Sequence, residues 1–197
     1  VIDNSIDEFV MGFGKKITID VTPDGLCEVR DFGRGIPLGK LLDCAAKITT
    51  GAKYDSDAFK KSVGLNGVGI KAVNALSDFF EIQAYRDGET RSYQFCRGKE
   101  LPKGRKDGAT EEPNGTRTAF HADPDIFPVT TQFRPEYIEK MCRYYSYLNK
   151  GLALHFNGRR YVSKNGLLDL LTEAMREEPL YPSLHLEGHD IEVAFTH

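Results

Sequence analysis

Cysteine is sparse in this chain. The four thiols, Cys27, Cys44, Cys96 and Cys142, lie far apart and form no C-x-x-C pair. That pattern argues against a zinc ribbon or a disulfide framework, and it fits a reducing, cytoplasmic compartment. His185 and His189 have ligand-like spacing, but no partner cysteine completes them. Long apolar runs are missing too: none approaches the roughly 18 residues that cross a bilayer. No basic region leads into a signal core at the start, so no membrane partner is expected. Positive charge is not in excess. With 26 Lys and Arg against 29 Asp and Glu, the formal net charge of −3 argues against a nucleic-acid clamp formed by this chain alone. The local exception is "RGKELPKGRK", Arg97 to Lys106, a solvated loop or a minor DNA contact. Internal repeats and low-complexity segments are absent.

What is present is an ordinary globular composition, 40% hydrophobic and 28% charged over 197 residues. That length has room for one domain with a proper core, plus a fragment of a second. Helical spacing of Ile2, Ile6, Phe9, Val10 and Phe13 predicts a helix over Val1 to Phe13. "KITIDVTPDGLCEVRDFG" and "FFEIQAYRDGETRSYQF" read as hairpins, turning at Pro23-Asp24-Gly25 and at Asp87-Gly88. "LLDCAAKI" and "IKAVNALS" read as short helices. The polar "TTGAKYDSDAFKKSVG" between them has the profile of a loop or lid. "NGTRTAFHA" predicts a strand and "RPEYIEKMCRYYSYLNKG" a helix ended by Gly151. "LALHFNGRRYVS" predicts a hairpin, "GLLDLLTEAMREE" a helix and "HDIEVAFTH" a final strand. Helices among mostly antiparallel hairpins point to α+β, a two-layer α/β sandwich whose mixed, mostly antiparallel sheet has helices on one face.

Four motifs carry the chemistry. In "DNSIDE", Asn4, Asp7 and Glu8 share the helix face opposite the apolar stripe, either as a solvated face or as oxygen ligands for Mg²⁺. "RDFGRGIP" sets Asp31 at a strand end before a sharp turn. Its carboxylate can accept from an exocyclic amine while Ile36 and Pro37 form an apolar wall, a combination that suits adenine; a plain tight turn would use the same glycines. "TGAKYD" supplies Gly51 and the phosphate-compatible Lys53. "SVGLNGVGIKAVNALS" places Gly64, Gly67 and Gly69 before a helix, so that backbone amides can approach an anion. No Gly-Lys-Ser/Thr follows, and the order G-x-x-G-x-G reverses the dinucleotide fingerprint.

The order of these motifs, closed by Gly115-Thr116, resembles the Bergerat, or GHKL, ATP-binding superfamily. There backbone amides and a lid enclose the triphosphate and no Walker lysine is needed. "VIDNSIDE", "GRGIP", "TGAKYD", "GLNGVGIKAVNALS" and "NGTRTAF" are similar over nearly the whole chain to the ATPase domain of the B subunit of bacterial type IIA topoisomerases, gyrase and topoisomerase IV. The short segment after "GRGIP" leans towards topoisomerase IV.

The resemblance implies ATP and Mg²⁺ as cofactors, with Asn4 on the metal and Asp31 on the adenine amine, directly and through a water that Thr116 also touches. It implies Ile36 and Pro37 against the base, with Glu8 paired to Arg34 beside Gly35 at the pocket mouth. Lys53 and the segment Gly64, Leu65, Asn66, Gly67, Val68 and Gly69 would hold the phosphates, and Arg91 would border the outer edge. It implies residues 1–184 as the ATP-binding domain and 185–197 as a terminal strand opening a transducer domain. Expected partners are a second B subunit, the A subunit, duplex DNA and competitive inhibitors. The family's general-base glutamate would sit just before Val1. The chain is therefore expected to bind ATP and turn it over negligibly, with no catalytic residue of its own. The alternatives are a histidine-kinase catalytic domain and a non-catalytic nucleotide-binding module.

Overall fold

A computed structural model describes residues 1–46, 68–128, 132–189 and 191–197. They cluster into two compact units, Val1–Phe133 and Arg134–His197. No helix among them is long and apolar enough to cross a membrane.

The first unit opens with helix α1, Ile2–Val10, which buries Ser5 and Ile6. The expected helix reached Phe13, but the observed one stops earlier. The Gly12 amide bonds the Phe9 carbonyl and the Phe13 amide the Glu8 carbonyl, both at 2.8 Å, the pair of reversed bonds that closes a helix at a glycine. Strands β1 (Lys16–Val21) and β2 (Cys27–Asp31) form the first hairpin. A 3-10 turn, Leu38–Lys40, leads into α2 (Leu41–Ala46). Helix α3 (Gly69–Ala75) follows, and then β3 (Ser77–Arg86) and β4 (Glu89–Cys96) pair through the Asp87-Gly88 turn. Two short strands that the sequence does not announce, β5 (Lys99–Glu100) and β6 (Lys106–Ala109), both add to β4. Strand β7 (Gly115–Ala122) completes this unit's sheet.

Within the unit the strand order is β5-β4-β3-β7-β2-β1, with β6 also on β4. The last strand in sequence is thus inserted between the two hairpins, antiparallel to both β2 and β3. Alternation along β3 turns Phe80, Ile82 and Ala84 to one face, where they meet Tyr93 and Phe95 of β4 and Leu41, Ala45 and Ile70 of α2 and α3. Phe80 and Phe95 meet edge to face at 5.9 Å between centroids. The Asn74 amide donates to the Ala45 carbonyl at 3.0 Å and fastens α3 to α2.

The second unit contains α4 (Pro135–Leu148), the hairpin β8 (Ala153–Phe156) and β9 (Arg159–Tyr161), and α5 (Leu167–Ala174). It ends in a ribbon of β10 (Leu184–Glu187) and β11 (Glu192–Phe195). Residues 184 and 185, where a division between domains was expected, lie within one strand, β10. Asp169 organises the entry to α5 by accepting from Ser163 Oγ at 2.6 Å and from the amides of Lys164 and Asn165. The antiparallel sheet with packed helices agrees with the α+β expectation. The loop expected at 49–64 lies outside the described residues.

Replacing Phe80, fully buried at the centre of the first unit, with alanine should cost about 3–5 kcal/mol of stability. Denaturant unfolding of the two proteins measures it; a loss under about 1 kcal/mol would mean that this cluster is not the core.

Candidate functional site

The insertion of β7 beside β2 brings two distant motifs together. Asp31, the last residue of β2, is buried at 6% exposure. Its Oδ1 accepts the amide of Gly33 at 3.0 Å and that of Thr116 at 3.1 Å. Among the described residues Oδ2 receives only the Ser5 hydroxyl, at 3.4 Å, longer than an ordinary O–H···O bond. One carboxylate oxygen is therefore saturated and the other holds a single weak donor. Burial raises the Asp31 carboxyl above its ordinary value, and the two amides and the nearby Arg30 only partly counter it.

Around this carboxylate the turn after β2 is tightly fixed. Gly35 has φ of +74°, and a Cβ there would lie 2.3 Å from the Tyr85 carbonyl. Gly115 has φ of +145°, and a Cβ there would lie 2.2 Å from the Asp31 carbonyl. Neither position accepts a side chain without moving backbone. Arg86 donates to the Gly35 carbonyl at 2.8 Å, and the Ile36 amide reaches Thr116 Oγ1 at 3.4 Å. Glu8 on α1 forms a fork with Arg34. Oε2 takes the Arg34 amide at 3.0 Å and Nε at 3.1 Å, and Oε1 takes Nη2 at 2.9 Å. The Arg34 guanidinium also lies over the Phe13 ring at 4.4 Å. Burial alone would raise the Glu8 carboxyl; the bonds and charge of Arg34 outweigh it and hold it below the ordinary value.

The structure thus brings Glu8, Asp31, Arg34, Gly35, Ile36 and Thr116 together. Thr116 meets Asp31 directly, through its main-chain amide. Asn4 is exposed on α1, Pro37 is exposed after the turn and Ile36 is half-buried. Val68 and Gly69 lie exposed at the start of α3. Arg91 pairs with Asp107 and donates to the Leu38 carbonyl at 3.1 Å, next to the turn that holds Ile36 and Pro37. Lys53, Gly64, Leu65, Asn66 and Gly67 lie outside the described residues. Sequence reasoning missed Ser5, Arg30 and Arg86. Ser5 had a signal, since three residues before Glu8 it shares that helix face. The two arginines had none, because Arg86 bonds the Gly35 carbonyl and Arg30 the Pro113 carbonyl, both far away in sequence.

No protein-family model matches the chain. It is 42% identical over 198 residues to the B subunit of DNA topoisomerase 4 from Borreliella burgdorferi, a match spanning 100% of this chain and 32% of that protein. To the B subunit of DNA gyrase from Mycobacterium tuberculosis it is 36% identical over 167 residues, 81% of this chain and 24% of that protein. The chain therefore spans about a third or less of the length of these curated relatives. Among solved structures, it is similar to the 43K ATPase domain of Thermus thermophilus gyrase B, crystallised in complex with an aminocoumarin. The TM-score is 0.73 and the identity 26%, over 98% of this chain and 53% of that one.

The raised Asp31 carboxyl has a consequence for stability. The folded state holds its proton more tightly than the unfolded state, so the ionised side chain opposes folding. That cost is absent below about pH 3.9, where an unfolded aspartate is also protonated, and grows as pH rises through the folded value. Asp31→Asn keeps an oxygen for both amide donors and carries no charge. Thermal melts should show the variant at or above wild type at pH 7, with the gap closing in acid. A variant that melts lower at pH 7 would contradict the assignment of a buried, strained charge.

Proposed function

The chain belongs to the family of ATPase domains of type IIA DNA topoisomerase B subunits, and on that premise we propose that it binds ATP at the Asp31 cluster. The observation that carries this reading is the unequal filling of the carboxylate. Oδ1 is committed to two main-chain amides, which fixes the plane of the group, while Oδ2 has acceptor capacity left among the described residues. An exocyclic amine is the donor that fits. Adenine presents an amine where guanine presents a carbonyl oxygen, which would face the carboxylate with like polarity, so the same atom sets affinity and base choice.

Ile36 and Pro37 then pack against the base, with Thr116 Oγ1 beside them, 3.4 Å from the Ile36 amide. The Glu8–Arg34 fork closes the mouth, with Arg91 beyond it. Lys53 and the main-chain amides of residues 64–69 hold the phosphates in this reading. Among the described residues no cluster of three or more His, Cys, Asp or Glu could hold a metal ion. Mg²⁺ would come with the nucleotide, held mainly by phosphate oxygens, with the exposed Asn4 amide as the one protein oxygen. A neutral oxygen ligand suits such an ion. The ion neutralises phosphate charge.

The parent protein, on this reading, is a cytoplasmic, ATP-hydrolysing topoisomerase. A second B subunit, the A subunit and duplex DNA are its partners, and ATP binding drives closure of the gate. An aminocoumarin would compete for the same site.

Calorimetric titration with ATP and GTP in the presence of Mg²⁺ tests the site. ATP should bind at least about tenfold more tightly than GTP, a difference of about 1.4 kcal/mol. Asp31→Asn should lose that preference, because the amide group turns a donor towards the base. Equal binding of the two nucleotides by the wild type, or no binding of either, would refute the proposal.

A further inference from the structure

Arg30 immediately precedes Asp31 on β2, so strand alternation sends its side chain to the opposite face of the sheet, the face that also carries Arg117 of β7. Such a residue is expected in solvent. Instead it is buried, at 7% exposure. Its guanidinium lies between two rings, 4.1 Å from the centroid of Tyr85 and 4.8 Å from that of Phe32. Nη1 donates to the Asp31 carbonyl at 2.6 Å and Nη2 to the Pro113 carbonyl at 2.7 Å. Tyr85 stands opposite Gly115 across the β3–β7 ladder. One side chain therefore ties together the end of β2, the end of β3 and the segment that enters β7.

That segment contains the amide that orients the Asp31 carboxylate. From Pro113 the chain passes through Asn114 and Gly115, with Arg30 Nη1 2.4 Å from where a Gly115 Cβ would be, to the Thr116 amide on Oδ1. We infer that Arg30 is a positioning residue of the adenine site: its planar fork clamps Pro113–Thr116 against β2, so that Thr116 holds Oδ1 and Oδ2 stays aimed at the base. This rests on the proposed adenine site. Burying a guanidinium is costly, and burial lowers its basicity here. Two aromatic faces and two carbonyls offset that cost. Lysine cannot take over the task, because a single ammonium neither spans two carbonyls in a plane nor stacks between rings.

The test uses the full chain with Arg30→Met and Arg30→Lys beside wild type and Asp31→Asn. Each is titrated with ATP and with GTP below its melting temperature, once circular dichroism has shown it folded. The readout is the ratio of the two affinities, which general destabilisation does not move in folded protein. Arg30→Met should lose about tenfold or more of the ATP preference, and Arg30→Lys most of it even though the charge remains, with GTP affinity little changed. If Arg30→Met fails to fold, Arg30→Lys decides. A folded Arg30 variant that keeps the wild-type ratio, while Asp31→Asn loses it, overturns the inference and leaves the adenine site standing. An unchanged ratio in Asp31→Asn overturns both.

Discussion

The first unit is built around a charge that has to stay inside the protein. Asp31 sits at the end of a strand with little access to water, and burial works against its ionisation. Two main-chain amides from different parts of the chain, Gly33 just after it and Thr116 on β7, compensate one oxygen. Among the described residues the other oxygen has only the long contact to Ser5. A carboxylate held this way is poorly satisfied alone and well satisfied by an incoming amine donor. A perturbed, buried carboxylate of this kind marks a candidate recognition site.

Much of the surrounding architecture serves to keep those two amides in place. β7 must lie next to β2, which requires its insertion between the two hairpins that precede it in the chain. Gly35 and Gly115 allow backbone segments to approach more closely than any side chain would permit. The Glu8–Arg34 fork anchors the turn to α1, and Arg86 anchors it to the end of β3. The apolar cluster of α2, α3, β3 and β4 has a different task. It packs the two helices against β3 and β4, with Phe120 of β7 at its edge.

How far this was legible in the sequence depended on how local the determinants are. The Asp87-Gly88 and Asn157-Gly158 turns are set by residues that tolerate positive φ, and both hairpins form where expected. The helix Pro135–Leu148 follows its own periodicity. Asp31 was recognisable because a carboxylate, two glycines and an Ile-Pro pair are adjacent in the chain. The environment of Arg30 was not. Alternation sends it to the open face, and beyond the neighbouring Phe32 its cover comes from Tyr85 and Pro113, far away in sequence. Short strands such as β6 and β10 also escaped, since their few residues are mostly exposed and form strands only because a partner is present. The helix end at Val10, before the last apolar position of its stripe, shows a local glycine overriding periodicity.

The most direct measurement is a structure of this chain with a non-hydrolysable ATP analogue. The account predicts the exocyclic amine of adenine about 3 Å from Asp31 Oδ2, with the Gly33 and Thr116 amides still on Oδ1. A base bound elsewhere, or an Asp31 carboxylate turned away from the nucleotide, would contradict it.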